Sequence, residues 1–343
     1  MDGRRLRCDV GKHLSAREKS KALVTLPSLL EYLGYVFFFA GFFVGPAFEF
    51  SDYRTFVTTA APPGTTRQTK AAAHPVKVPP ESARVGYQRL AISLVPILGV
   101  VLLAPHFPID YMLSAEYGAL SWAHRVGYLL LACHCTRLPY YGAWIMADGA
   151  CVVAGLGFSG YDPMTGAPRW DRMTNVHPWQ FETGQNLRAL SEAWNVGTNV
   201  WLKNYIYLRV ARGKKPGIPT TLITFMVSAI WHGFFPGYYL AFITLALLSS
   251  LARILRRVVR PIFVNTGATQ VTATPLKQLY DLLSWLVTQL ALNYAITPFV
   301  VLQLDRSLRI WQTNAYFGHI GLAGLYLFFA LGGTQLLKAR HTT

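Results

Sequence analysis

The stretch 228–242 reads SAIWHGFFPGYYLAF and holds one ionisable residue, His232. It lies inside residues 216–252, a run of 37 without Asp, Glu, Lys or Arg. An ionisable side chain at membrane depth is costly, so by default it marks function; the plainer reading is a histidine that fixes helix packing through hydrogen bonds. Gly233, Pro236 and Gly237 follow it and turn the chain, which opens room beside the ring. Desolvation disfavours the charged imidazole, so a histidine in that setting is expected to stay neutral and available as a general base. No Ser-His-Asp order and no GxSxG elbow supplies a protein nucleophile. A base without a nucleophile points to direct attack by a substrate hydroxyl.

Other polar groups in apolar segments are His124, Arg125, His134 and Asp148. These are expected to be structural, with Arg125 and Asp148 as a candidate pair. Cys133-His134-Cys135 has metal-ligand residue types, but ligands that close cannot easily complete a tetrahedral site and no second cluster exists, so no metal is expected. The four cysteines, Cys8, Cys133, Cys135 and Cys151, read as structural thiols without disulfides. A basic cluster, Lys203, Arg209, Arg212, Lys214 and Lys215, has two readings. It is either a headgroup-facing edge or a clamp for a polyanion such as the phosphates of coenzyme A, where charge-assisted hydrogen bonds would be strong.

The elements that must carry these residues are helices in a membrane. Of 343 residues, 14% are charged and 52% hydrophobic, where soluble domains average roughly 25% charged. That excludes a disordered chain, a collagen and a coiled coil, and argues against an ordinary soluble enzyme. Residues 32–48, 90–109, 216–252 and 310–337 carry no Asp, Glu, Lys or Arg. A bilayer-crossing helix needs about 20 apolar residues, and the runs are too long and too unalternating for barrel strands. The expected fold is all-α and polytopic, with about eight spans: 23–48, 90–107, 119–135, 138–158, 218–231, 235–252, 279–302 and 315–337. The segment 218–231 is short enough to be re-entrant.

If all eight spans cross, one side carries 22 Lys/Arg and the other 9, with Arg125 inside a span. Positive-inside bias puts the richer side in the cytosol. The net charge of +16 then follows from topology and attraction to anionic lipid; no nucleic-acid module is visible. Residues 1–21 are charged and lack an apolar core, so they are not a signal peptide. Residues 51–86, rich in Ala, Pro and Thr from 60 to 80, read as a flexible loop. Residues 159–217 read as an interfacial loop with amphipathic helices, because Leu187, Leu190, Ala193, Trp194, Trp201, Leu202, Tyr205, Ile206 and Leu208 recur at helical spacing.

Three blocks carry a family resemblance: LPSLLEYLGYVFFFAGFFVGPAFEF at 26–50, PWQFETGQNLRALSEAWNVGTNVWLKNYIYLRV with GKKPG at 178–217, and SAIWHGFFPGYYLAF at 228–242. RPIF at 260–263 fits as well. Together they resemble the membrane-bound O-acyltransferase family, in particular its lysophospholipid acyltransferase branch of fungal broad-specificity type. The resemblance implies one acyltransferase domain over 1–343. Its expected reaction is transfer of a fatty acyl chain from acyl-coenzyme A, as co-substrate and without a cofactor, to the free hydroxyl of a lysophospholipid in the endoplasmic reticulum membrane. It maps the catalytic histidine onto His232 and the catalytic asparagine onto Asn195. It maps a coenzyme A-facing basic stretch loosely onto Lys203, Arg209, Lys214 and Lys215. Tyr316-Phe317 with His319 is similar to a weaker late motif, to which no role is given. The family carries further helices before the LPSLLEYLGY block, which here starts at residue 26, so the chain resembles about the carboxy-terminal two-thirds of the pattern. Two alternatives stay open: an O-acyltransferase for another lipid or protein acceptor, and a catalytically incomplete membrane fragment.

Overall fold

The computed structural model describes residues 16–23, 25–42, 44–60, 78–213, 215–263 and 274–339. These are almost entirely helical. The helices before the middle loop are α1 (Ala16–Lys21), α2 (Leu29–Val36), α3 (Phe39–Phe42), α4 (Phe50–Ala60), α5 (Ser82–Leu102), α6 (Ala115–Ala119) and α7 (Trp122–Val153). A two-stranded antiparallel hairpin of β1 (Gly160–Tyr161) and β2 (Pro168–Arg169) pairs Gly160 with Arg169. Then come α8 (Pro178–Glu182), α9 (Leu187–Ala193), α10 (Val196–Leu202), a π-helical turn (Lys203–Tyr207) and α11 (Leu208–Ala211). The rest comprises α12 (Ile218–His232), α13 (Pro236–Val258), α14 (Arg260–Phe263), α15 (Pro275–Val301), α16 (Leu304–Thr313), α17 (Phe317–Ala330) and α18 (Gly333–Ala339).

The chain forms two compact units. One comprises Met1–Val95, Tyr141–Val176 and Val196–Thr198; the other Pro96–Tyr140, His177–Asn195 and Asn199–Thr343. In the first, Ser28 opens α2 with a capping box: its hydroxyl accepts from Glu31 N–H at 3.2 Å, and the Glu31 carboxylate accepts from Ser28 N–H at 2.8 Å. Tyr35, Phe38, Phe48 and Tyr53 pack edge to face around that helix, and the Tyr35 hydroxyl donates to Phe48 O at 2.6 Å. Ala40, Cys151, Leu156 and Met173 make the adjoining core. The start of α5 crosses the end of α7 at Gly86 and Gly149, where a Cβ on Gly86 would sit 2.9 Å from Gly149 O; only small residues let two backbones approach that closely. In the hairpin, Asp162 accepts from Met164 and Thr165 N–H, both at 2.9 Å. The donors on Thr165 and Met164 hold its carboxyl below the usual carboxylate range.

In the second unit Met112, Tyr117, Leu129, Cys133, Val301 and Ile310 form the core between α6, α7, α15 and α16. Helices α12 and α13 pack together, as do α13 and α15. Helix α12 takes Pro219 in its first turn and stops at Gly233, whose φ of +127° is open to glycine. Helix α13 restarts on Pro236.

Three helical stretches among the described residues are long and apolar enough to cross a membrane: Ser82–Leu113, Pro236–Val258 and Pro275–Val301. They match the expected spans 90–107, 235–252 and 279–302. Ile218–His232 and Phe317–Ala330 are apolar but shorter. Residues 23–48, expected as one span, carry helices of eight and four residues; eight residues reach about 12 Å, against a hydrocarbon core of about 30 Å. The expected spans 119–135 and 138–158 join in the single 32-residue helix α7, which runs through Pro139. Proline is tolerated in apolar helices where neighbours satisfy the freed carbonyl. The segment 51–86, expected as a loop, is helical at both ends, and residues 61–77 lie outside the described residues.

The continuity of α7 also corrects the expected Arg125–Asp148 pair. Twenty-three residues apart on one helix, they stand about 34 Å apart along its axis. Arg125 instead donates to Thr313 O, and Asp148 pairs with Arg89 of α5 while accepting from the Thr174 hydroxyl at 3.0 Å. Asp148 is 5% exposed. Asp148→Ala strands the Arg89 charge and is expected to destabilise by about 3–5 kcal/mol, whereas Arg89→Met with Asp148→Leu recovers most of that. Thermal unfolding of the purified variants in detergent checks both.

Candidate functional site

His232 is the last residue of α12, and Tyr238 and Phe242 of α13 and Phe299 of α15 enclose its ring. Phe242 stacks on it at 5.4 Å, Phe299 meets it edge-on at 4.8 Å and Tyr238 lies at 5.6 Å, all between ring centroids. The imidazole is half-buried and forms no hydrogen bond with another described residue. The phenyl rings of Phe242 and Phe299 and the phenol ring of Tyr238 hold its orientation.

The geometry of that box depends on Gly237. Its N–H donates to Leu302 O at 2.7 Å, tying the start of α13 to the end of α15. A Cβ there would fall 2.1 Å from Pro298 O and 2.8 Å from Leu302 Cα. Both are backbone atoms and cannot swing aside.

Asn195 sits between α9 and α10 in the left-handed region, at φ 45° and ψ 54°, and its carbonyl accepts from Asn199 N–H at 2.9 Å. Asparagine tolerates this conformation better than most residues. Its predecessor Trp194 packs on Phe181 at 4.9 Å and on Tyr140 at 5.7 Å.

The described basic residues lie beyond α10. Lys203 opens the π-helical turn, and Arg209 lies on α11 with its guanidinium over the Tyr205 ring at 5.2 Å. Tyr205 also stacks on Trp201 at 5.6 Å. Arg212 has φ 49° and ends the helix. Tyr205, Ile206, Arg209, Val210, Ala211 and Arg212 line an open groove of about 520 Å³. Lys203, Arg209 and Lys215 are exposed, and Lys214 lies outside the described residues. Helices α12 and α13 run antiparallel: Arg253, near the end of α13, donates to the Thr221 hydroxyl at 3.0 Å and to the Ser250 hydroxyl at 2.9 Å. That places Arg253, with Arg256, Arg257 and Arg260 after it, at the Lys215 end of the pair and away from His232.

A second polar centre was not foreseen. Arg137, 7% exposed, forms a two-bond fork with Glu182: Nε and Nη2 reach the two carboxylate oxygens at 2.9 Å each. Its Nη1 donates to Asn293 Oδ1 at 2.6 Å and to Cys133 O at 3.2 Å. His134 Nδ1 lies 3.1 Å from Glu182 Oε1. From α15, Trp285 Nε1 and Gln289 Nε2 donate to Glu182 O at 2.7 and 3.1 Å. The missed signal was Arg137 itself, assigned to a short loop between two spans that are in fact one helix. Cys133, Cys135 and Cys151 are buried free thiols, and Cys8 lies outside the described residues.

Gly237→Ala is expected to part α13 from α15, with an overpacking penalty of about 1–3 kcal/mol. The unfolding midpoint should fall, and diethyl pyrocarbonate should modify His232 faster, read by mass spectrometry. Unchanged values in both would show that the close contact does not hold the ring.

The profile of the membrane-bound O-acyltransferase family matches residues 5–297. The chain is 37% identical over 321 residues to the lysophospholipid acyltransferase of Schizosaccharomyces pombe, covering 93% of this chain and 60% of that protein. It is 37% identical over 350 residues to the lysophospholipid acyltransferase of Saccharomyces cerevisiae, covering 96% and 55%. It is 32% identical over 335 residues to the human membrane-bound glycerophospholipid O-acyltransferase 2, covering 96% and 61%. The chain thus spans between 55% and 61% of the length of these curated relatives. With the family profile covering most of its residues and relatives aligned along nearly all of it, the chain belongs to the membrane-bound O-acyltransferase family.

Proposed function

We propose that the protein transfers a fatty acyl group from acyl-coenzyme A to the free hydroxyl of a lysophospholipid, with His232 as general base. Relatives named as lysophospholipid acyltransferases support the reaction class. The accessible imidazole in its aromatic box supports the base. His232 takes the proton of the acceptor hydroxyl as that oxygen attacks the thioester carbonyl. The tetrahedral intermediate collapses, the carbon–sulfur bond breaks, and the proton on the imidazole leaves with coenzyme A. The Asn195 amide donates a hydrogen bond to the developing oxyanion or orients the ring.

One observation favours a coenzyme A thioester as donor. Arg253 is anchored at Thr221, eleven residues before His232 on α12 and so about 16 Å from it along the axis. From thioester sulfur to first phosphate, a pantetheine arm has roughly 13 bonds, about 16 Å at the ~1.2 Å per bond of an extended chain. In a lysophospholipid the hydroxyl and phosphate are roughly four bonds apart, about 5 Å on the same scale. Arg253, at the Lys215 end of α12, suits the donor's phosphates and lies too far for the acceptor's.

The arrangement that goes with this reading treats 1–343 as one acyltransferase domain. It embeds α5, α7, α12, α13, α15 and α17 in the endoplasmic reticulum membrane with the basic end toward the cytosol. These are six helices where eight spans were expected, since two spans join in α7 and residues 23–48 break into short helices.

The test is acyl transfer to a panel of lysophospholipids, sterols and diacylglycerol in membranes lacking such activity, using the complete protein. His232→Ala is expected to lose about 10²–10⁴-fold in rate, and Asn195→Ala about 10²–10³-fold. Full activity in either variant removes that residue from the mechanism. Arg253→Gln should raise KM for acyl-coenzyme A about 10-fold, ~1.4 kcal/mol, and leave KM for the acceptor unchanged. A shift in the acceptor KM alone overturns the donor assignment.

A further inference from the structure

The proposed chemistry leaves the buried Arg137 guanidinium, with its fork on Glu182, unused. A buried ion pair is weak evidence for stability, because well-packed apolar residues of the same volume often serve as well. What a two-bond fork adds is a single allowed geometry. Here that geometry is passed on. The Arg137 guanidinium lies over the Phe181 ring at 5.6 Å, and the other side of the contact is Trp194, 4.9 Å from Phe181. The His177 N–H donates to Ala193 O at 2.9 Å, so α8 grips the two residues that precede Asn195. Tyr140 is one turn after Arg137 on the same face of α7. It meets Trp194 at 5.7 Å.

We infer that the Arg137–Glu182 pair is a positioning device that sets the Asn195 amide against the His232 imidazole. This rests on the reading of Asn195 and His232 as the reacting pair. Glu182 is held from its other side by α15 through Trp285 and Gln289, the helix that also supplies Phe299 to the His232 box. The pair therefore references both reacting residues to one frame made of α7 and α15.

The test is a double-mutant cycle in the complete protein. Arg137→Lys keeps the charge and removes the fork; Glu182→Gln keeps the shape and removes the charge. Each is expected to lower kcat about 10–100-fold with both KM values within about twofold, measured at a temperature where the variant remains folded. Glu182→Asp should recover part of the rate. A residue acting through Asn195 has nothing left to position once the amide is gone, so Arg137→Lys in an Asn195→Ala background should cost less than about twofold more. Non-additivity of that kind marks residues that act as a unit. If Arg137→Lys fails to accumulate, Trp194→Phe, which leaves the ion pair intact, carries the same expectation. Losses that multiply in the double variant, or that fall wholly in KM or in unfolding, overturn the positioning role while leaving the reaction in place. A parent protein without any acyl transfer overturns the reading of the reaction and this inference with it.

Discussion

A charge inside an apolar helix bundle has to be met by something other than water, and most of the architecture follows from how each is met. Asp148 is met by Arg89 and Thr174, Arg125 by a carbonyl at the end of α16, and Arg137 by Glu182, Asn293 and a carbonyl of its own helix. Each solution ties two distant segments together, because no single helix carries enough complementary groups. Arg253, like Arg125, is met among the described residues by neutral oxygens, here those of two hydroxyls.

His232 follows the opposite rule. Aromatic rings surround it, and among the described residues none hydrogen-bonds its nitrogens. The tight junction at Gly237 makes the enclosure possible, since α13 and α15 can supply Tyr238, Phe242 and Phe299 only if their backbones nearly touch. A carboxylate partner would anchor a histidine and raise its basicity; here aromatic rings set the orientation.

Much of this was legible in the residues. The uncharged runs located the long apolar helices α5 and α13, because a helix exposed to hydrocarbon must be apolar around its whole surface. The Trp-His-Gly turn singled out His232, and the Trp-Asn opening singled out Asn195. What stayed hidden shares one cause: long-range pairing. Arg137 and Pro139 look like a break between spans because, on one strand of sequence, nothing shows that Glu182 and Asn293 wait for the guanidinium from 45 and 156 residues away. The LPSLLEYLGY block reads as a span by composition, yet its aromatic residues fold onto one another through contacts that hydropathy cannot see. The β1–β2 hairpin is set by an Asp162 turn of a few residues, too short for any periodicity to register.

The π-helical turn at Lys203–Tyr207 has a bearing on how this surface can change. A π turn accommodates one residue more than the α-helix around it. Everything downstream is thereby rotated by about 100° relative to an unbroken α-helix. Arg209 thus shares a groove with Tyr205 and Arg212 by virtue of an added residue rather than of heptad-like spacing. Loss of one residue among 204–207 would restore a regular helix with every cation still present, yet swing the guanidinium to a different azimuth. The arrangement of cations here is thus encoded by chain length as much as by residue type, and a tally of lysines and arginines would not register the difference.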